Sequence, residues 1–153
     1  MQRVFQVFTR KPFLFVLFSL AYLLVVGLLK WWFKPPVASL MFLGGGFVGI
    51  YFLDLAELFF NLTPSPFRSV LFLGLFAIVS FFVVTSSGSL LASGLVLSIF
   101  LTMIFWQAGE WQVNGNLDSW FRMVSSPMGR DIPRWMLIGC IVLFLLETYF
   151  FIR

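Results

Sequence analysis

The chain has six acidic residues among 153, and four of them, Asp54, Glu57, Glu110 and Glu147, stand in or beside long apolar runs. Asp54 and Glu57 lie within Tyr51-Phe52-Leu53-Asp54-Leu55-Ala56-Glu57-Leu58-Phe59-Phe60-Asn61, and Glu110 within Trp106-Gln107-Ala108-Gly109-Glu110-Trp111-Gln112-Val113-Asn114. Placing an Asp or Lys at the centre of a bilayer costs about 2.5–3.5 kcal/mol on insertion scales, so such residues need a reason to be there. Asp54 and Glu57 are three apart and share a helix face, which Tyr51 and Asn61 continue. Gln107, Glu110 and Asn114 share a face in the same way, and Ser98 and Thr102 lead toward Glu110.

Three chemistries suit carboxylates so placed. Their oxygens coordinate hard cations, so a divalent cation at Asp54, Glu57 and Glu110 is the one cofactor that this set admits. Close carboxylates also perturb one another's ionisation, which suits proton relay. The structural alternative has Glu57 and Glu110, both near water, pairing with Arg68, Arg122 or Arg134. Asp54 is deeper and shorter, which favours a functional role. The expected ion- or proton-binding set is Asp54, Glu57 and Glu110, supported by Tyr51, Asn61, Gln107 and Asn114. Glu147 is expected at the outer interface, near Lys30 or Lys34.

Composition excludes other chemistry. With no histidine, haem or zinc sites built on His and Ser-His-Asp catalysis are ruled out. A single cysteine, Cys140, excludes an intrachain disulfide and reads as a packing residue in its apolar run. No P-loop, dinucleotide fingerprint or metalloprotease motif occurs. Asn61-Leu62-Thr63 matches a glycosylation acceptor but falls on the cytoplasmic side of the expected topology. The net charge of +4 does not imply nucleic acid, because the basic residues flank apolar stretches.

The elements that position these groups are membrane helices. Hydrophobic residues make up 61% of the chain and charged ones 10%, with a mean hydropathy of +1.02; soluble domains carry about 25% charged residues. The expected fold is an all-α polytopic bundle with spans at 13–33, 37–62, 69–84, 90–107 and 135–152. The uncharged run between Arg68 and Glu110 would be about 60 Å long as one helix, so it must reverse, and Thr85-Ser86-Ser87-Gly88-Ser89 is the only plausible turn. A four-span arrangement with a re-entrant pair is the alternative. Five spans with a cytoplasmic N-terminus put Arg3, Arg10, Lys11, Arg68, Arg122, Arg130 and Arg134 inside, against Lys30, Lys34 and Arg153 outside. That asymmetry favours an N-in, C-out protein of the plasma (inner) membrane.

Between the last two spans, Leu117, Trp120, Phe121 and Val124 recur at helical spacing. They predict a cytoplasmic amphipathic segment over 116–125, capped by Asn116, with Asp118 and Arg122 paired. It lies either on lipid headgroups or packed under the bundle. Val4, Phe5, Val7 and Phe8, beside Arg3 and Arg10, suggest a second interfacial turn. Gly45 and Gly49, and Gly88 and Ala92, have the small-x-x-x-small spacing of close helix packing; Gly44–Gly46 also admits a break lining a path.

The leading functional reading is a subunit of an oligomeric cation or proton channel or transporter. Five spans are few for a self-contained transporter, so besides the bilayer the partners are further copies or another membrane subunit. The alternative is a non-catalytic subunit or assembly scaffold. A membrane enzyme using Asp54 and Glu57 with a divalent metal is weakest, since phosphoryl chemistry needs more basic clamps than the chain has.

Overall fold

The computed structural model describes residues 12–34, 36–60, 65–123 and 131–153. These residues form five α-helices and a short 3-10 turn, with no strand among them: α1 (Phe13–Lys30), α2 (Ser39–Phe60), α3 (Val70–Ser86), α4 (Leu90–Asn114), the 3-10 helix Asp118–Phe121, and α5 (Asp131–Ile152). All but α3 are long and apolar enough to cross a membrane. At 17 residues α3 is about 26 Å long, slightly less than the hydrocarbon thickness. The N-terminal interfacial turn, Asn61 and Val124 lie outside the described residues.

Local chemistry accounts for the boundaries. Pro12, extended at φ −60° and ψ 129°, precedes α1. The helix closes when Trp32 and Phe33 turn left-handed (φ 49° and 62°), and the Phe33 N–H reaches the Leu28 carbonyl at 3.0 Å. Ser69 caps α3 by accepting from the Phe72 N–H at 3.2 Å. The reversal falls where the sequence places it: α3 ends at Ser86, Gly88 takes φ +62°, and Ser89 caps α4 by accepting from Ala92 N–H at 3.3 Å. The fourth helix runs seven residues past the expected 107 and stops at Gly115 in the left-handed region, φ 69°. The fifth begins at Asp131 rather than 135.

The central helix is α4, whose residues from Val96 through Ile104 are all buried. Its closest partner is α2, alongside which it runs in parallel. A Cβ on Gly49 would stand 2.5 Å from the Leu95 carbonyl oxygen, and one on Gly45 would collide with the Leu91 carbonyl. The approach is reciprocal, since a Cβ on Gly94 would strike the Phe42 carbonyl. Small residues thus let two backbones meet, as Gly45 and Gly49 predict. On α4, however, the packing residue is Gly94. Gly88 lies in the turn with nothing near it, and Ala92 is only half-buried. The spacing rule identified the end of the helix but not the face.

Around this pair, α3 and α5 flank α4, and α1 lies against α2 and α5. Lys30 of α1 meets Phe151 of α5, so these two helices also run in the same direction. Only Leu73 and Ser80 of α3 are buried; Leu71, Leu75, Ile78 and Phe82 face outward.

The segment after α4 differs from the amphipathic helix expected over 116–125. Its helical part is a single 3-10 turn, and Leu117, Trp120 and Phe121 point into the protein, with Trp120 wholly buried. Asn116 does not cap it; its Nδ2 donates to Asp118 at 2.8 Å, which takes the place of the expected Asp118–Arg122 pair. The apolar stripe is real, but its partner is the bundle rather than lipid.

Candidate functional site

At the end of the bundle where α2 and α4 finish and α3 begins, each carboxylate has a local partner. Arg68, just before α3, places Nε 3.6 Å from Glu57 Oε1 and its guanidinium 4.4 Å from the centre of the Trp106 ring. Glu57 is thus tied to a cation, and that cation is stacked on α4. Glu110 turns the other way. Its Oε1 accepts from the Ser119 hydroxyl and its Oε2 from the Trp120 indole N–H at 3.1 Å. Burying an indole N–H without an acceptor costs about 1–3 kcal/mol, so Glu110 is what permits Trp120 to be enclosed.

Glu57 and Glu110 thus have separate partners. Asp54 is half-buried on α2 with Tyr51 in its electrostatic neighbourhood, and the buried Tyr51 packs edge-on against Phe47 at 5.6 Å. Asn114 is exposed at the last turn of α4. Gln107 shares a nominal face with Glu110 yet is fully enclosed, beside the Cys140 thiol of α5. Among the described residues no three His, Cys, Asp or Glu side chains come close enough to hold one metal ion.

The most enclosed carboxyl is one that the sequence reading puts elsewhere. Glu147 is enclosed by the bundle: its exposure is 0%, and it lies on the same buried stripe of α5 as Cys140, Phe144 and Phe151. Lys30, its expected neighbour, instead donates to the Phe151 carbonyl and lies 4.2 Å over the Phe151 ring. Glu147 meets Ser80 of α3, whose hydroxyl donates to Oε2; Oε1 has no hydrogen-bond partner among the described residues. Beside it the Tyr22 hydroxyl of α1 and the Thr148 hydroxyl share a hydrogen bond of 2.7 Å. The signal available in the sequence was an acidic residue one turn from two aromatics at i−3 and i+4; what was missing was which face of α5 is inside.

The interior groups around Phe144 thus include the Glu147 carboxyl, the hydroxyls of Ser80, Tyr22 and Thr148, and the Gln107 amide, drawn from α1, α3, α4 and α5. Phe144 divides them, with Tyr22 5.2 Å and Phe100 5.7 Å from its ring centre. Glu147 and its hydroxyl neighbours lie toward the Lys30 end, and Gln107 with Cys140 toward the other. An enclosed carboxyl without a cation is tolerated either with a proton on it or with an ion beside it. No protein-family model, curated protein or solved structure matches this chain.

Proposed function

We propose that this small membrane protein is a proton- or cation-conducting subunit in which Glu147 is the exchanging intramembrane carboxyl. The observation that carries the reading is the enclosure of Glu147, with one oxygen held by Ser80 and the other without a hydrogen-bond partner among the described residues. Intramembrane acids that face a bundle interior mark ion and proton pathways by default. The hydroxyls of Ser80, Tyr22 and Thr148 supply groups that both accept and donate a proton. Phe144 is a constriction between this cluster and the Gln107 side, so passage requires its ring to move. Asp54, half-buried on α2, is the candidate for the cytoplasmic mouth, with Glu57 and Glu110 holding the surrounding structure.

In this reading the chain crosses the bilayer five times, with its N-terminus cytoplasmic and its C-terminus outside. Two features support an odd count: α1 runs parallel to α5, and α2 parallel to α4, which requires α3 to reverse between them. A single bundle this thin encloses little water, so conduction is assigned to an assembly of copies or to a complex with another membrane subunit.

The test is flux in liposomes containing the purified protein, with pH-sensitive and cation-sensitive dyes inside. Wild type is expected to dissipate an imposed gradient, Glu147→Gln to stop it, and Glu57→Gln to leave it in place. Conduction that survives Glu147→Gln in a well-folded variant would falsify the assignment.

A second reading is a non-catalytic membrane subunit. It is favoured by α3, which buries only Leu73 and Ser80 and turns an apolar face outward. Absence of flux together with co-purification of a larger membrane complex would select it.

A further inference from the structure

Each described hydroxyl beside Glu147 can be followed to its acceptor. Ser80 spends its single hydrogen on Glu147 Oε2. Thr148 spends its own on the Phe144 carbonyl at 2.9 Å. The 2.7 Å contact between Tyr22 and Thr148 is then made by the Tyr22 hydrogen, which is therefore turned to Thr148 and not to the carboxyl. Glu147 Oε1 is enclosed and has no hydrogen-bond partner among the described residues. A carboxylate has about four lone-pair sites to satisfy, and here a single donor reaches it.

Charge does not make up the deficit. The one charged residue of α1, Lys30, gives its amine to the carbonyl and ring of Phe151 and makes no ion pair with Glu147 among the described residues. Helix α3 contains no titratable residue. The one charged residue of α4, Glu110, is held by Ser119 and Trp120, and α4 buries only Ser98, Thr102 and Gln107 among its longer polar side chains. On α5, Asp131 and Arg134 are exposed at the opposite end, Tyr149 is exposed, and the Cys140 thiol lies beyond Phe144. A divalent cation in place of a basic side chain would need about six or more oxygens. The cluster offers the Glu147 pair with the oxygens of Ser80, Tyr22 and Thr148, and the Thr148 oxygen already accepts from Tyr22. Un-ionised, the same carboxyl asks for much less. Oε2 is then a carbonyl oxygen accepting from Ser80, Oε1 carries the hydrogen, and one unmet donor costs far less than a buried charge.

We propose that Glu147 is held as the neutral carboxylic acid, with its hydrogen on Oε1, and that the species it exchanges is a proton and not a metal cation. In exchange Oε1 hands its proton to a water molecule, the O–H electron pair stays on the carboxylate, and a proton returns to the same oxygen. This rests on the reading of Glu147 as the exchanging carboxyl and names what is exchanged.

The experiment is infrared spectroscopy of the full chain in liposomes at neutral pH, with and without 13C in the glutamate carboxyls. The chain has three glutamates, Glu57, Glu110 and Glu147. Wild type is expected to show the C=O stretch of an un-ionised acid that shifts in D2O, shifts with the 13C label and is lost in Glu147→Gln. Ser80→Ala is expected to move this band to higher frequency without removing it, because the carbonyl oxygen loses its donor. Sodium or calcium chloride in place of choline chloride is expected to leave the band in place. Its conversion to carboxylate bands by either cation would overturn the proton assignment while keeping Glu147 as an exchanging group. Carboxylate bands alone in labelled wild type, or an acid band that persists in folded Glu147→Gln, would also overturn it. An intact acid band in liposomes that show no flux would keep this inference and remove the conducting role. The labelled wild type decides the matter even if Glu147→Gln does not fold.

Discussion

Glu110 and Glu147 are the same side chain in two regions of one bundle, and they are treated differently. Glu110, near the end of α4, has a donor on each oxygen, from Ser119 and Trp120 nine and ten residues later. Glu147, within α5, has one donor for two oxygens and no exposed surface. Near water a carboxylate can be charged and still useful, because it pins a loop and its remaining lone pairs are solvated. In a dry interior the same group is left short of partners, and the deficit is what makes it reactive toward a proton or an ion. Satisfaction of hydrogen bonds, more than depth alone, separates a structural acid from a candidate functional one.

Both regions hang on the crossing of α2 and α4, so the largest effect is expected from Gly49→Leu. Its side chain would enter the Leu95 backbone and force the helices apart. Loss of monodisperse protein on size-exclusion chromatography is expected; a well-behaved variant would mean that the frame separating the two acids is wrong. Next comes Glu147→Gln, expected to lower proton or cation flux at least about tenfold while changing the thermal midpoint little, since the amide fills the same space and can still accept from Ser80. Glu110→Ala should do the reverse. It strands the Trp120 indole N–H and should lower stability by about 2–3 kcal/mol in a denaturant titration, with flux per folded molecule unchanged. If both variants lost flux equally, the distinction between the two regions would collapse. The smallest effect is expected from Glu57→Gln, which removes a half-exposed ion pair and should shift stability by less than about 1 kcal/mol.

Most of the elements were legible in the residues. The five apolar helices, the reversal through Gly88 and the Gly45–Gly49 packing face follow from run lengths, capping serines and residue size. The structural alternative for Glu57, a pairing with Arg68, was also readable, because one short connection brings them together. Less legible was anything that depended on facing. Gln107 and Glu110 share a nominal helix face, yet one is enclosed and the other reaches over to Ser119. Gly94, not Gly88 or Ala92, meets the partner backbone.

What the sequence determined alone is that this chain forms long apolar helices, where they stop, and which charged residues they carry, because those properties are set by local backbone chemistry and by the length of each uncharged run. Only the tertiary structure decided that Glu147 faces inward and that Glu57 and Glu110 take separate partners. In a soluble helix the inner face announces itself by contrast with a polar outer one. Here lipid-facing and core-facing side chains are equally apolar, so the contrast that would orient each helix is missing. The inward direction emerges only when neighbouring helices supply Ser80, Tyr22 and the glycine seam.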